Sequence, residues 1–289
     1  MGIARNEGII LPSLSAMDFE KLSGYINAHT GIKMTGGKKS LFESRLQKRL
    51  RHLGLKDFGE YCDFLFSGEG SEAELHHMID AVTTHKTDFF REPDHFDFLS
   101  GFVLPELMKN GKDRFLVWSA ACSTGEEPYT IAMVLSEFGE KFSPGCLKRF
   151  SVLATDISTG AIASGKQAVY REDQAVPIPP DLRKKYLLRS KNRSKRLVRV
   201  VPELRDVVCF RRLNLIEDDF GSVEQADIIF CRNVIIYFDM DVQRKLLFRL
   251  YGKLAPGGYL FMGHSEAIHG FGLQLAKAGP SVYRKTEKP

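Results

Sequence analysis

The segment FLVWSAACSTGEEPYTIAMVLSEF, residues 115–138, joins a short apolar run to a helical segment through a turn of small residues. The same alternation returns in FSVLATD (150–156), in ADIIFC (226–231) followed by DVQRKLLFRLYGKL (241–254), and in YLFMGH (259–264). Short strands that alternate with helices are typical of a parallel sheet covered by helices. We therefore expect a doubly wound, Rossmann-like α/β domain, with a last pair of strands between Leu273 and Lys285.

The N-terminal part of the chain has a different pattern. From residue 15 to about residue 90, apolar residues recur at helical spacing between turn signals. One helix is predicted from about Lys39 to Leu53, with an apolar side of Phe42, Leu46, Leu50 and Leu53. Another contains the apolar stripe of Leu75, Met78, Ile79 and Val82. This pattern predicts a small helical bundle.

These two textures divide the 289 residues into two predicted domains. We expect an all-helical domain with its linker over residues 1–90, and the α/β domain over residues 91–289. Within the second domain, residues 167–213 are too many and too irregular for a connection of the usual 2 to 6 residues. This stretch is predicted to be an insertion with a few strands of its own.

Composition excludes several classes of protein. Apolar residues make up 43% and charged residues 27% of the chain, as in ordinary globular proteins. No apolar run reaches the roughly 20 residues of a membrane span, and the first residues lack the apolar centre of a signal peptide, so we expect a cytoplasmic protein. The five cysteines show no CxxC spacing, which favours reduced thiols. His76 and Asp80 have a metal-ligand spacing without further ligands, so no metal site is expected.

Polar residues follow the predicted strands at their carboxyl ends, where open parallel sheets bind ligands. They are Glu127, Asp156, Asn214 with Leu215, and Arg232 with Asn233. The turn before Glu127 lacks the GxGxxG pattern, and its carboxylates would repel a pyrophosphate. Asp156 suits ribose hydroxyls, although it could equally be the N-cap of the next helix, and Asn suits an adenine edge. Together the set describes a nucleoside with a positively charged tail, such as S-adenosylmethionine.

Four separated motifs carry a resemblance to a known family. They are TTHKTDFFRE (83–92), STGEEPY (123–129), FCRNVIIYF (230–238) and GHSE (263–266). In this order they resemble the chemotaxis receptor methyltransferases, the CheR family. The resemblance implies an N-terminal helical domain and an S-adenosylmethionine-dependent methyltransferase domain with an inserted antiparallel β-subdomain. It also implies methyl transfer to glutamate side chains of methyl-accepting chemotaxis receptors, with S-adenosylhomocysteine as the product.

Position by position, the resemblance also implies roles for individual residues. The implied cofactor contacts are His85, Thr87, Arg91, Glu127, Asp156, Asn214, Leu215, Arg232 and Asn233. Arg91 and Tyr237 are similar to the family's pair of residues near the transferred methyl group, so we expect them to be catalytic. For Tyr237 the alternative is an aromatic side chain that covers the end of the sheet.

The second predicted helix also carries a basic side, which includes Arg45, Lys48 and Arg49. We expect these side chains to bind the acidic coiled coil of the receptor, the alternative being a plainly solvated helix face. No nucleic-acid partner and no membrane insertion are expected, and the protein is predicted to be a monomer.

Two rival functions stay open at this point. A methyltransferase that acts on RNA would use the basic helix and the basic loop near residue 193, but no aromatic stacking surface is interleaved with those charges. A receptor-binding scaffold without catalysis would keep the fold alone. The presence of Arg91, Asp156 and Tyr237 favours a working enzyme.

Overall fold

The computed structural model of the chain describes residues 13–68, 71–109, 114–142, 149–216, 220, 221, 223–266, 268 and 272–286. The described residues form two compact units that divide between Thr83 and Thr84. This division lies inside the stretch of residues 1–90 that was predicted to be the first domain with its linker. Each unit has a hydrophobic core of its own. No helix in the described part of the chain has the length and apolar composition needed to cross a membrane.

The first unit is helical, as predicted. Its helices are α1 (Ala16–Thr30), α2 (Lys39–Leu53), α3 (Phe58–Phe66) and α4 (Ser71–Val82). Local chemistry sets their ends: the Ser15 hydroxyl accepts the N–H of Asp18 at the start of α1, and Gly31 ends that helix with a positive φ of 69°. The apolar side predicted for α2 is confirmed, since Phe42, Leu46 and Leu50 are buried.

The second unit contains the α/β domain. Its strands are β1 (Phe115–Ala120), β2 (Phe150–Asp156), β3 (Val169–Arg171), β4 (Leu187–Arg189), β5 (Leu197–Val200), β6 (Val208–Arg212), β7 (Ala226–Cys231), β8 (Leu254–Met262), β9 (Leu275–Gly279) and β10 (Val282–Lys285). Its helices are α5 (Asp94–Phe98), α6 (Leu104–Lys109), α7 (Glu126–Phe142), α8 (Thr159–Gln167), α9 (Pro180–Tyr186), α10 (Pro202–Arg205) and α11 (Met240–Lys253). A π-helical turn, Leu99–Val103, joins α5 to α6.

Among the described residues the large sheet has seven strands in the order β6-β2-β1-β7-β8-β10-β9. Strands β6, β2, β1, β7 and β8 are parallel, and β10 runs antiparallel to both β8 and β9. Strands β2 and β6 lie on one side of β1, and the later strand β7 lies on its other side. Strand order therefore reverses between β1 and β7, which is where such sheets bind ligands. This architecture confirms the predicted Rossmann-like fold.

A second, antiparallel sheet lies within the predicted insertion. Strand β5 is its centre, paired with β3 on one side and β4 on the other. Strand β6 also falls inside residues 167–213, but it pairs in parallel with β2 and so belongs to the large sheet. The antiparallel sheet therefore ends at Val200. Strand β6 is short, and side chains alternate between the two faces in both sheets. Its sequence pattern therefore does not show which sheet it joins.

Candidate functional site

The turn between β1 and α7 lies at the carboxyl edge of the sheet, beside the point where strand order reverses. Ala121, Ser123 and Gly125 all have positive φ values, of 67°, 50° and 99°. At Gly125 a Cβ atom would lie 2.9 Å from the Tyr170 hydroxyl, so glycine is required by space as well as by φ. The Ser123 hydroxyl donates to the carbonyl of His85 at 3.1 Å, which joins this turn to the segment of residues 84–92.

Asp156 ends β2 and is buried at the same edge. One of its carboxylate oxygens accepts the backbone N–H of Ser123 at 2.8 Å, and the other accepts the N–H of Ser158 at 2.9 Å. The N-cap of α8 is Ser158, whose hydroxyl accepts from Ala161. Asp156 therefore shapes the start of α8 from two positions before the cap. A carboxylate oxygen can accept from more than one donor, so the residue type suits a ligand hydroxyl.

Arg232, the first residue after β7, is a buried cation that joins three segments. Its guanidinium donates to the Glu127 carboxylate at 3.3 Å and to the Glu92 carboxylate at 2.9 Å. It also donates to the backbone carbonyl of Arg91, and it lies over the ring of Phe96. Because these partners come from the 84–92 segment and from α7, Arg232 holds both against the end of β7. We name Arg232 with Glu92 and Glu127 the arginine hub.

Asn233 continues from the arginine hub with a positive φ of 57°. Its side-chain amide donates to Glu92 at 3.2 Å, and its backbone N–H donates to the buried carboxylate of Glu266 at 2.7 Å. Glu266 also accepts the backbone N–H groups of Val234, Ile235 and Gly263. Burial raises the pKa of the Glu266 carboxyl, and these four donors oppose that shift by stabilising the anion. One carboxylate thus fixes the backbone on which Asn233 and the following turn are built.

Backbone strain concentrates in these segments. Eight described residues other than glycine have positive φ values, and five of them lie here: Phe90, Glu92, Ala121, Ser123 and Asn233. Such conformations cost of order 1–3 kcal/mol each and persist where surrounding contacts enforce them, which is common at functional sites. The hydrogen bonds of the arginine hub and of Glu266 supply that enforcement.

Buried ionisable groups surround the turn and the arginine hub. Burial raises the pKa of Glu127, while the adjacent Arg232 opposes the shift. Burial also raises the pKa of Glu126, whose carboxylate accepts the Thr124 hydroxyl at 2.6 Å. Burial lowers the pKa of His95 to about 4, and Arg232 acts in the same direction. Clustered groups with shifted pKa values are typical of functional sites.

The structure places the other sequence-predicted residues of the second unit around this edge. The guanidinium of Arg91 is half-buried and donates to the carbonyl of Lys86 at 3.1 Å. Thr87 is half-buried in the same segment. Asn214 and Leu215 are buried just beyond β6, where the Asn214 side chain accepts the N–H of Ile216 at 3.3 Å.

Tyr237 is half-buried in a 3-10 turn, Ile235–Tyr237, that follows Asn233. The turn begins on the backbone held by Glu266, because both Val234 and Ile235 donate to that carboxylate. This short connection ties the position of Tyr237 to that of Asn233.

The basic residues of α2 belong to the first unit, and the structure gives them different roles. Arg49 donates twice to the buried Glu74, at 3.0 and 2.6 Å, and Arg45 donates to the carbonyls of Val82 and Thr83 at the end of α4. Lys48 is exposed. Two of the three predicted receptor contacts therefore also hold the helical bundle together.

Glu92 and Glu266 were not among the predicted site residues. They are the last residues of two motifs quoted above, TTHKTDFFRE and GHSE, so these motifs could have pointed to them. Neither follows a predicted strand directly. Their partners lie 140 and 33 residues away along the chain, which is why spacing does not reveal them.

The residues at this edge fit S-adenosylmethionine. Three carboxylates, those of Glu92, Glu127 and Asp156, lie at this edge with the guanidinium groups of Arg232 and Arg91, and the excess of acidic groups favours a cationic ligand. Asp156 would hold the ribose hydroxyls, and Asn214 and Asn233 would supply amide groups. The positive-φ turn from Ala121 to Gly125 lets a ligand approach the backbone closely.

Comparison with known proteins points to one family. Residues 17–83 match the all-alpha domain of CheR methyltransferases, and residues 85–282 match the CheR methyltransferase SAM binding domain. A chemotaxis protein methyltransferase of Borreliella burgdorferi is 36% identical over 272 residues, which cover 93% of this chain and 94% of the relative. Chemotaxis protein methyltransferase 2 of Pseudomonas aeruginosa is 39% identical, covering 92% of each protein. The corresponding protein of Escherichia coli is 38% identical, covering 94% of this chain and 91% of the relative. The chain therefore belongs to the CheR family of chemotaxis methyltransferases, with an S-adenosylmethionine-binding domain in its second unit.

Proposed function

We propose that this enzyme methylates glutamate side chains of methyl-accepting chemotaxis receptors, giving glutamate methyl esters and S-adenosylhomocysteine. The reaction belongs to adaptation in bacterial chemotaxis, and we place it in the cytoplasm. The observation that carries the proposal is the arginine hub, which gathers residues from TTHKTDFFRE, STGEEPY and FCRNVIIYF at the edge where strand order reverses. Residues from motifs that are far apart in sequence thus meet at one edge of the sheet, which supports the proposal.

The chemistry of a glutamate acceptor suits a site without a general base. A glutamate carboxyl has an ordinary pKa of about 4.3, so near neutral pH it arrives as an anion. When bound, S-adenosylmethionine supplies an electrophilic methyl carbon, so that an ester forms without any proton transfer. The protein then contributes by holding the reacting groups in line, an effect of order 7–11 kcal/mol in favourable cases.

In this proposal Arg91 positions the reacting groups. Its backbone carbonyl is held by Arg232, and its guanidinium, anchored on the Lys86 carbonyl, keeps further donors for a carboxylate. A guanidinium bonded tightly to the acceptor oxygen would lower the nucleophilicity of that oxygen. We therefore assign Arg91 to orientation of a carboxylate and not to activation of the nucleophile.

Tyr237 would contact the methyl group and the acceptor with its ring and hydroxyl. Its place next to Asn233, on the backbone that Glu266 holds, supports this assignment. A change of Tyr237 to Phe would keep the ring and remove the hydroxyl, so this variant separates the two contributions.

The partner in this proposal is the receptor coiled coil, which carries several glutamates. Lys48 on α2 would attract it electrostatically, and Arg45 and Arg49 would contribute in addition to their bonds within the bundle. Opposite charges steer encounter and make its rate depend on salt. The monomeric state stays a prediction.

The direct test is incubation of the purified chain with S-adenosylmethionine labelled in its methyl group and purified receptor cytoplasmic fragments. We expect label in the receptor that is released as methanol by mild base, because methyl esters hydrolyse under these conditions. Asp156→Asn is the matched control in the enzyme and should lose most of the labelling. Label that resists base, or label transferred to RNA in preference to receptor, would contradict the proposal.

A further inference from the structure

Glu92 of the arginine hub also belongs to a cluster with two histidines, His95 and His264, that the proposed methyl transfer does not use. One nitrogen or oxygen atom from each lies within 4.8 Å of one from each of the others. Nδ1 of His95 is 3.5 Å from Oε2 of Glu92, and Nε2 of His264 is 4.0 Å from the same oxygen. A fourth group, Asp94, places Oδ2 3.1 Å from Nε2 of His264.

The hydrogen bonding of His95 leaves one of its nitrogens open. Nε2 lies 3.2 Å from the carbonyl oxygen of Pro280, and since a carbonyl only accepts, Nε2 must carry a proton. Nδ1 is buried with its residue at 1% exposure, and no group among the described residues forms a hydrogen bond with it. Its distance of 3.5 Å from the Glu92 carboxylate is too long for a charged N–H···O bond. A buried lone pair thus faces a carboxylate.

A bound metal ion would give the Nδ1 lone pair of His95 and the Glu92 carboxylate a common partner. Histidine ligands in metal sites usually donate their other N–H to a carbonyl or carboxylate, and His95 does so toward Pro280. Two imidazoles with one carboxylate form a known ligand set for Zn²⁺. We propose that Glu92, His95 and His264 bind one divalent transition-metal cation of the Zn²⁺ type, with Asp94 adding negative charge beside His264.

The distances and charges agree with such an ion. A tetrahedral Zn²⁺ about 2.0–2.1 Å from each donor would separate its donors by about 3.3–3.4 Å. The Glu92 oxygen lies 3.5 Å from His95 and 4.0 Å from His264, and all three donor atoms lie within 4.8 Å of one another, so a rotation of the exposed His264 side chain would bring the ligands to these distances. Glu92 shares Oε2 with Arg232, and a carboxylate oxygen has lone pairs for both partners. Glu92 and Glu127 share the guanidinium of Arg232, and Asp94 adds a further carboxylate beside His264, so the ligands lie in acidic surroundings.

The site is also accessible. The side chains of His264 and Asp94 are 46% and 49% exposed, whereas Glu92 and His95 lie beneath them. An ion can therefore reach the inner ligands past the outer pair without unfolding of the chain. The outer pair can also be replaced at little cost to the core.

The test is equilibrium dialysis of the full, untagged chain against Zn²⁺ in the presence of a competing chelator, with the variants His264→Gln, Asp94→Asn and His77→Gln. His77 is an exposed histidine of the first unit and serves as the matched control. We expect the wild type and His77→Gln to bind one equivalent with equal affinity. His264→Gln, which removes a ligand, should bind at least tenfold more weakly, and Asp94→Asn, which removes only a nearby charge, should bind more weakly by a smaller factor, both with unchanged circular dichroism.

Substitution with Co²⁺ identifies the ligands independently of affinity. We expect the visible ligand-field bands of a four-coordinate nitrogen and oxygen site in the wild type and their loss in His264→Gln. Intense near-ultraviolet absorption from cobalt bound to thiolate would assign the ion to a cysteine and overturn the proposal. So would equal Zn²⁺ affinity in the wild type and His264→Gln, or the lack of a stoichiometric site in the wild type.

Discussion

Arg232 carries a full charge at 6% exposure, and its environment explains why arginine stands there. A buried charge is tolerated when it is paired with opposite charge and hydrogen-bonded, and both terminal nitrogens of Arg232 are, while its Nε has no hydrogen-bond partner among the described residues. The flat fork of a guanidinium reaches the Glu92 carboxylate, the Glu127 carboxylate and the Arg91 carbonyl together. A lysine ammonium has the same charge but cannot span three acceptors with that geometry.

Arg232→Lys should therefore lower the free energy of unfolding of the second unit by about 1–3 kcal/mol, the cost of leaving a buried acceptor unsatisfied. Urea unfolding followed by the fluorescence of Trp118 measures this, because that tryptophan is buried in β1. Arg193→Lys, at an exposed position, is the control. Equal unfolding midpoints for the two variants would show that the shape of the arginine is unimportant.

Glu126 offers a pH test at the scale of one residue. Because burial raises its pKa in the folded state, the folded protein holds this proton more tightly than the unfolded chain does. The stability that comes from protonated Glu126 is therefore complete below the unfolded pKa of about 4.3 and is lost as pH rises through the folded value.

Glu126→Gln removes this loss, so its stability relative to the wild type should improve between pH 4 and pH 8. Urea midpoints measured across that range give the difference directly. A difference that stays constant with pH would mean that Glu126 has the same pKa in the folded and unfolded states.

At the scale of elements, the β1–α7 turn depends on the packing of α8 beneath it. Tyr129 of α7 donates to the carbonyl of Gly165 in α8, and the Cα of Gly165 lies 3.1 Å from where a Cβ of Gly125 would stand. A Cβ on Gly165 would itself come within 3.0 Å of three ring carbons of Phe210 in β6. The close packing of α8 against β6 thus helps to hold the β1–α7 turn in place.

Gly165→Ala should destabilise the second unit by about 1–3 kcal/mol, since overpacking forces neighbours apart. Gly252→Ala is the matched control in α11, where an added Cβ meets nothing within 4 Å. We expect the control to unfold within about 1 kcal/mol of the wild type, on the stabilising side, because alanine favours helices. The measurement is again urea unfolding observed through Trp118, and equal midpoints for both variants would refute the packing argument.

At the scale of the whole molecule, the two units divide the work of the proposed reaction. In the proposal, the second unit holds the cofactor and the basic side chains of the first unit attract the receptor. Arg45 and Arg49 are bonded within the bundle, so changing them would confuse electrostatics with stability. The exposed Lys48 and Arg51 provide a cleaner test.

Lys48→Glu combined with Arg51→Glu should slow receptor methylation severalfold at low salt and leave S-adenosylhomocysteine affinity unchanged. The difference should shrink as salt rises, because the screening length falls to about 8 Å near 0.15 M. Lys21→Glu with Lys56→Glu, at exposed positions of the same unit, changes the net charge equally and serves as the control. Equal initial rates for both double variants would contradict a role for this face of α2.

Much of this architecture could be predicted from the sequence. The span of α2, the alternation of strands and helices, the closing pair β9 and β10, and the polar residues at strand ends all follow from local periodicity and turn chemistry. The sequence did not predict three features: the ion pair of Glu92 with Arg232, the pairing of β6 with the large sheet, and the hydrogen bonds of Arg49 within the bundle. In each case the local sequence pattern is compatible with several partners, so it does not select one of them.

Local pattern alone therefore determined which residues form strands and helices and which side chains are buried, because hydrophobic spacing acts within a few residues. Only the tertiary structure decided which charges meet. His264 reaches Asp94 across 170 positions of the chain, and Arg232 reaches Glu92 across 140. Electrostatic partners are selected by distance in space, and that distance exists only after the strands have been ordered into a sheet.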